Sequence, residues 1–266
     1  MAYFDARSNA LALEMAVVGT HLSGKTTFVN SFRDPELESY CNVTEPFGLG
    51  VIELDHTDID MPAESSSLTV PIVTIAETAT DYAKSQGNIA LLGSEYTFET
   101  QRQIDLEAAC RPQMAHVIFS EAHRKLQSYG FAGRVANLGV ILSDRERLDG
   151  KAYSSVRTPE EDDDTLGMKA PLREWFRQAV RSSLDCVFIA NPSDVPFELD
   201  VSHTDNQQVR NDVQTKIEEL YHSSTGGLLL ELSGTVESRR ETLRSVVSLF
   251  VDYPFLVSLP ITSLRE

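Results

Sequence analysis

The chain has no uninterrupted run of about 18 apolar residues, the length a membrane-spanning helix requires. Its start, MAYFDARSNALALEM, is acidic and polar before a short apolar patch. It lacks the basic flank and small-residue cleavage site of a secretory leader, and a cytoplasmic protein is expected. Cysteine is sparse. Cys41, Cys110 and Cys186 stand far apart, no pair has zinc-site spacing, and an odd count argues against a disulfide framework. Reduced, buried thiols are expected. Basic charge is also short: 23 Lys and Arg face 40 Asp and Glu, a net charge of −17. A general nucleic-acid surface needs clustered Lys and Arg, so that class is excluded. Lysine stands only at positions 25, 84, 125, 151, 169 and 216, which makes a lysine inside a glycine turn conspicuous.

What is present is a 266-residue chain with 41% hydrophobic residues, enough for a sizeable core. No internal repeat is visible. Short apolar runs predict strands at 15–19, 70–77, 135–144, 184–191 and 226–234. Between them the pattern predicts helices from Lys25, at 78–87, 95–113, 114–130, 170–183, 204–223 and 236–250. Pro112 is expected to end one helix, and Gly130 to close the next as a C-cap. The expected fold class is α/β, a three-layer arrangement of about five parallel strands with helices on both faces. One domain over 1–253 is expected, with 254–266 as a tail containing Pro254 and Pro260. Residues 34–69 are acidic and rich in turn formers, and read as an insertion or loop on the acceptor side. The run EEDDD at 160–164 reads as a solvated loop in preference to a metal site, as do Asp55, Asp58 and Asp60.

One motif carries chemistry. Gly19-Thr20-His21-Leu22-Ser23-Gly24-Lys25-Thr26, followed by Thr27, matches G-x-x-x-x-G-K-[ST] between an apolar strand and a helix. The glycines let the backbone turn tightly and come close to phosphate. Successive N–H groups form an anion nest, reinforced by the positive end of the following helix. Lys25 can reach the terminal phosphates of a nucleotide, and the Thr26 hydroxyl can ligate Mg²⁺. A second acid is needed at the end of a neighbouring buried strand. Asp144 in VILSDR stands there, with Arg145 next and Asp149 beyond. The N-K-x-D motif of base-specific GTPases does not occur, so ATP is the expected nucleotide.

In order, GTHLSGKTT, VTIAETATDYA, FETQRQIDLEAA, VILSDRERLDGKAY, DCVFIANPSDVPFELD and LLELSGTVESRRETL resemble a known group over roughly residues 14 to 250. It is the P-loop ATPase/kinase family that includes the nicotinamide-riboside kinase domain of bifunctional NAD-biosynthesis regulators, within the nucleoside- and nucleotide-kinase-like folds. The resemblance implies a P-loop NTPase fold with a helical lid at 192–215. It implies that Glu77 faces an acceptor, that Arg210 lies over the phosphates, and that Asp205 orients that arginine or binds substrate. It also implies that Ser233, Gly234 and Arg239 lie near the adenine. By residue type alone, Arg210 could equally pair with Asp212 or Glu218, and Arg239 could be solvated. Glu45 lies nearer the usual interval after Lys25, but Glu77 is preferred because ATDYA continues as a helix. Thr80 stands where the family often has an arginine.

Two functions follow as expectations. One is an ATP- and Mg²⁺-dependent phosphotransferase acting on a nucleoside or related small metabolite. The other is a nucleotide-binding ATPase or switch subunit that regulates a partner protein, which the departure at Thr80 and the acidic insertions favour. Partners are expected to be a nucleotide and a small acceptor, with room for a protein partner or a second copy of the chain, and neither nucleic acid nor membrane.

Overall fold

The computed structural model describes residues 3–5, 10–20, 23–55, 67–85, 98–128, 134–157, 184–194, 207–224 and 227–253. The strands are β1 (Tyr3–Asp5), β2 (Ala10–Val18), β3 (Phe47–Asp55), β4 (Ser67–Ile75), β5 (Arg134–Val135), β6 (Leu138–Asp144), β7 (Cys186–Ala190) and β8 (Leu228–Leu232). The helices are α1 (Lys25–Asn30), α2 (Pro35–Cys41), α3 (Thr78–Ser85), α4 (Phe98–Ser128), α5 (Arg147–Arg157), α6 (Gln207–Ser224) and α7 (Val236–Asp252).

One sheet runs in the order β3-β4-β6-β2-β7-β8. Its five strands from β4 to β8 are mutually parallel, and β3 is antiparallel on the edge of β4. β1 lies antiparallel along the first residues of β2, and β5 parallel to the first residues of β4.

The strand alternation sorts side chains into two covered faces. Leu13, Met15 and Val17 of β2 pack with Phe28, Val29 and Phe32 of α1 and around it, and with Leu243, Val246, Val247 and Phe250 of α7. On the opposite face Ala12, Val73 and Ile141 meet Ala115, Phe119, Ala122 and Leu126 of α4. Farther along that face Ala16, Val18, Val187 and Ile189 meet α5 and α6 through Leu148, Ala152, Val213, Ile217 and Tyr221. The result is a three-layer α/β fold with the phosphate loop at the C-terminal end of a central strand.

Two expectations are corrected. Within 34–69, read as an insertion or loop, residues 34–55 form α2 and the edge strand β3, Ser67 begins β4, and residues 56–66 lie outside the described residues. Asp34 caps α2 by accepting from the N–H groups of Glu36 and Leu37, Pro35 stands at its first turn, and Asn42 closes it in the left-handed region. The chain at Phe32 passes so close to β3 that a Cβ on Gly50 would lie 1.7 Å from the Phe32 carbonyl oxygen. That approach explains a glycine inside a strand. Second, Pro112 does not end a helix: α4 runs through it for 31 residues. A proline removes one intrahelical hydrogen bond and costs about 3 kcal/mol. The burial of Arg111 and Ile104 on one side, and of Ala115, Phe119, Ala122 and Leu126 on the other, holds the helix together.

Cys41 and Cys186 are buried as expected, whereas Cys110 is exposed on α4. Asp55 is exposed at the far end of β3. The expected helix at 170–183, the run 160–164, Asp58, Asp60, Gly130 and the tail 254–266 lie outside the described residues. Among the described residues no helix is long and apolar enough to cross a membrane.

Candidate functional site

The loop after β2 bends at Gly19 (φ 138°) and Gly24 (φ 76°), conformations that a side chain would strain. A Cβ at Gly19 would also lie 3.1 Å from the Ala190 carbonyl oxygen at the end of β7, so the loop rests on the neighbouring strand. Thr20 and Ser23 are fully buried. The Ser23 hydroxyl donates to the Thr20 carbonyl (2.8 Å), and the Thr20 N–H donates to Gln214 Oε1 of α6 (3.1 Å). Lys25 is folded back onto its own loop, donating to the Thr20 carbonyl (2.5 Å) and the Ser23 hydroxyl (3.1 Å). Thr27 is exposed on the first turn of α1. His21 and Leu22 lie outside the described residues, as does Asp205.

Thr26 and Asp144 are brought together across 118 residues of sequence: the Thr26 hydroxyl donates to Asp144 Oδ2 at 2.5 Å. The parallel register sets Val17 beside Asp144, so the acid emerges next to the loop that follows β2. Asp144 is buried, and its Oδ1 has no hydrogen-bond partner among the described residues. Burial and the nearby Glu77 raise its pKa from 3.8 to about 6, against the pull of Lys25, the Thr26 hydrogen bond and Arg145. Burial and the Arg145 charge lower Lys25 to about 8, against Asp144, Glu77 and Asp149.

Arg145 is the residue whose weight the sequence reading missed. Its backbone has φ 77°, unusual for a non-glycine residue, and its N–H extends the ladder to the Val17 carbonyl. The guanidinium forms a 2.5 Å ion pair with Glu77 Oε1 through Nε, a charge contact not aligned as an N–H hydrogen bond. Its Nη1 lies 3.5 Å from the Gly19 carbonyl and 3.7 Å from Asp149 Oδ2, and the group sits 5.2 Å over the Tyr153 ring. Burial opposes its charge, but Glu77, Tyr153, Asp149 and Asp144 outweigh burial and hold the guanidinium ionised. Asp149 is buried, accepts from the Tyr221 hydroxyl (3.1 Å), and is raised to about 7 by burial, against Arg145, Lys25 and Tyr221. The only signal in the sequence was the adjacency of Arg145 to Asp144.

Glu77 thus joins Lys25, Asp144 and Arg145 in one electrostatic cluster. Glu45 emerges at the same end of the sheet, because Pro46 accepts from Ala76 N–H, but it is 67% exposed and paired with Arg33 (2.6 Å). Arg210 is buried on α6 one turn before Gln214, and donates to the Pro192 carbonyl (2.6 Å). Asp212 bonds instead with Gln208, and Glu218 with Gln214.

Arg239 is 2% exposed rather than solvated. It donates to the Ser23 carbonyl (2.8 Å) and to Asp194 (3.0 Å), and Asp194 in turn accepts from Gly234 N–H (2.6 Å). Gly234 has φ 85°, and the Ser233 carbonyl accepts from Ser238. Asp194, Arg239 and Gly234 therefore brace the loop from the side opposite Gln214. Thr80 lies in α3.

A cavity of about 220 Å³ opens between α4 and the sheet. Asp144, Arg145 and Glu146 line one part of it, Thr78 and Arg111 another, and Glu14 and His116 a third. Among the described residues no group of three or more His, Cys, Asp or Glu is arranged to hold a metal by itself. A Mg²⁺ ion would have to share its ligands with phosphates and water.

Fold and loop together define a P-loop α/β domain. In fold it is similar to deoxyadenosine kinase from M. mycoides, with 13% identity over 89% of this chain and 100% of that one and a TM-score of 0.44. It is likewise similar to thymidylate kinase from Candida albicans, with 15% identity, 90% and 92% coverage and a TM-score of 0.40. No family model and no curated protein matches the chain.

Proposed function

We propose that the chain is a phosphotransferase that moves the terminal phosphoryl group of ATP to a hydroxyl of a nucleoside or related small metabolite. The single observation that supports this reading is the convergence of Lys25, Thr26–Asp144 and Glu77–Arg145 in one charged cluster, of which Asp144 and Arg145 also line the cavity.

The loop N–H groups and α1 would cradle the phosphates, with Lys25 released from Thr20 and Ser23 to reach them. Thr26 and Asp144 suit Mg²⁺: a hydroxyl lies beside a buried carboxylate whose Oδ1 has no other partner among the described residues. When bound, the ion neutralises phosphate charge. Glu77, held by Arg145, would accept the proton of the attacking hydroxyl. The acceptor oxygen forms a bond to the terminal phosphorus as the bond from that phosphorus to the bridging oxygen breaks, and ADP leaves. Arg145 and Lys25 supply positive charge against the transferring group, and Arg210, in the first turn of α6, would add to it. Gly234 and Arg239 would shape the adenine side through the loop they brace, and Ser233 stands beside them in the chain. The nicotinamide-riboside kinases are one source of acceptors to try.

The test is incubation with ATP, Mg²⁺ and a panel of nucleosides, with phosphorylated product and free phosphate measured separately. Acceptor-dependent product supports the reading. Phosphate release independent of every acceptor would replace it with the ATPase or switch function.

A further inference from the structure

The cavity has a second end that the phosphate chemistry does not use. Glu14 lies on β2, in register with Ile141, four residues before Arg145 on the neighbouring strand. At about 3.3 Å per residue that is about 13 Å along the sheet. Less the reach of the two side chains, a molecule of nucleoside size could touch both ends.

A glutamate on a central strand of a parallel sheet is unusual, because both faces are covered and an unpaired carboxylate there is costly. Glu14 is held on several sides. Its N–H donates to Asp185 Oδ2 (2.9 Å), and its carbonyl accepts from Asp185 N–H (2.8 Å). Its Oε1 lies 2.7 Å from His116 Nε2 of α4. Glu14 and His116 are 15% and 13% exposed, and both line the cavity. The second carboxylate oxygen of Glu14 has no hydrogen-bond partner among the described residues. Ser143, in the same wall, adds a hydroxyl. Arg111 is directed elsewhere, to the Ala76 carbonyl, Asp81 and Glu107.

We propose that Glu14, oriented by His116, is a specificity-determining residue that selects acceptors presenting the exocyclic amine of a nucleobase to its carboxylate over analogues with a carbonyl oxygen at that position. The inference rests on the cavity being the acceptor pocket. A carboxylate oxygen can only accept a hydrogen bond, so an N–H group satisfies it, whereas a carbonyl oxygen set against it leaves two acceptors facing each other. A hydrogen bond to a charged group separates the two kinds of acceptor by about ten- to a hundredfold.

The experiment compares cytidine with uridine and adenosine with inosine. It reads kcat/KM for transfer and, independently of turnover, affinity by calorimetry in the presence of Mg·ADP. The expected result is a preference for the amino member of each pair, with the ratio falling toward one in Glu14→Gln, whose amide can both donate and accept. His116→Gln should lower the same ratio less. Equal affinity for both members of each pair in the unaltered protein overturns the inference without any variant, so a folding defect in Glu14→Gln leaves it testable. A ratio unmoved by a folded Glu14→Gln also overturns the inference and leaves the pair as a tie between α4 and β2. Transfer without preference sinks this inference and keeps the proposed function. Preferential binding without transfer does the reverse. No binding of any nucleoside overturns both.

Discussion

Replacing Asp144 with asparagine should have two effects of opposite sign. Asn is close to Asp in shape and can still accept the Thr26 hydroxyl, so the packing of a buried position is kept. What is lost is a buried negative charge. Burial and Glu77 raise the Asp144 pKa from 3.8 to about 6, so ionisation is roughly a hundredfold harder than in the unfolded chain, or about 3 kcal/mol. The folded state holds this proton more tightly, so the group's favourable contribution is complete below about pH 4 and lost as pH rises through about 6. Asp144→Asn should therefore change little at pH 4 and stabilise the nucleotide-free protein by up to about 3 kcal/mol at pH 8, or about 5 to 10 °C in Tm. With Mg·ATP the difference at pH 8 should close. A ligand at a hundred times its Kd adds about 2.7 kcal/mol, and the variant, without the charge that Mg²⁺ needs, should lose most of that gain. Thermal unfolding at the two pH values, with and without Mg·ATP, measures both. A variant that is less stable at pH 8 without nucleotide, or that keeps the full Mg·ATP shift, would refute the reasoning.

Lys25→Met should lower ATP affinity at least about tenfold, because a charge-assisted contact to phosphate is lost, and calorimetric titration gives the value directly. Unchanged affinity would remove the loop from the mechanism. Gly50→Ala should destabilise by about 3 kcal/mol in urea unfolding, since its Cβ would collide with the Phe32 carbonyl. A loss under about 0.5 kcal/mol would mean that β3 does not lie against this chain crossing.

Four of the five parallel strands were legible because both their faces are buried, and the partly buried edge strand β8 because it carries a run of three leucines; both write near-continuous apolar runs into the sequence. β3 was hidden because an edge strand alternates: Ile52 and Leu54 are buried while Glu53 and Asp55 are exposed, in a stretch dense with turn formers. Pro112 misled because local preference disfavours what packing on both sides of it enforces. The phosphate loop is written in consecutive residues, and its strand and helix are adjacent to it. Glu77 and Arg145 are joined only by the pairing of β4 with β6, which no local pattern records. The braces on the loop, Gln214 from α6 and Arg239 from α7, are likewise products of topology. Arg239 read as a surface residue because charged residues flank it on a helix; its burial comes from two partners distant in sequence, Ser23 and Asp194.

Transfer of a phosphoryl group to a bound acceptor is the proposed reaction at this site. The most direct measurement uses ATP labelled in its terminal phosphate, with Mg²⁺ and a nucleoside panel, comparing the unaltered chain with Glu77→Gln. Label should appear on an acceptor, and Glu77→Gln should lose at least about a hundredfold in transfer, as expected for removal of a positioned base. Label released only as free phosphate, at the same rate with every acceptor and in both proteins, would contradict it.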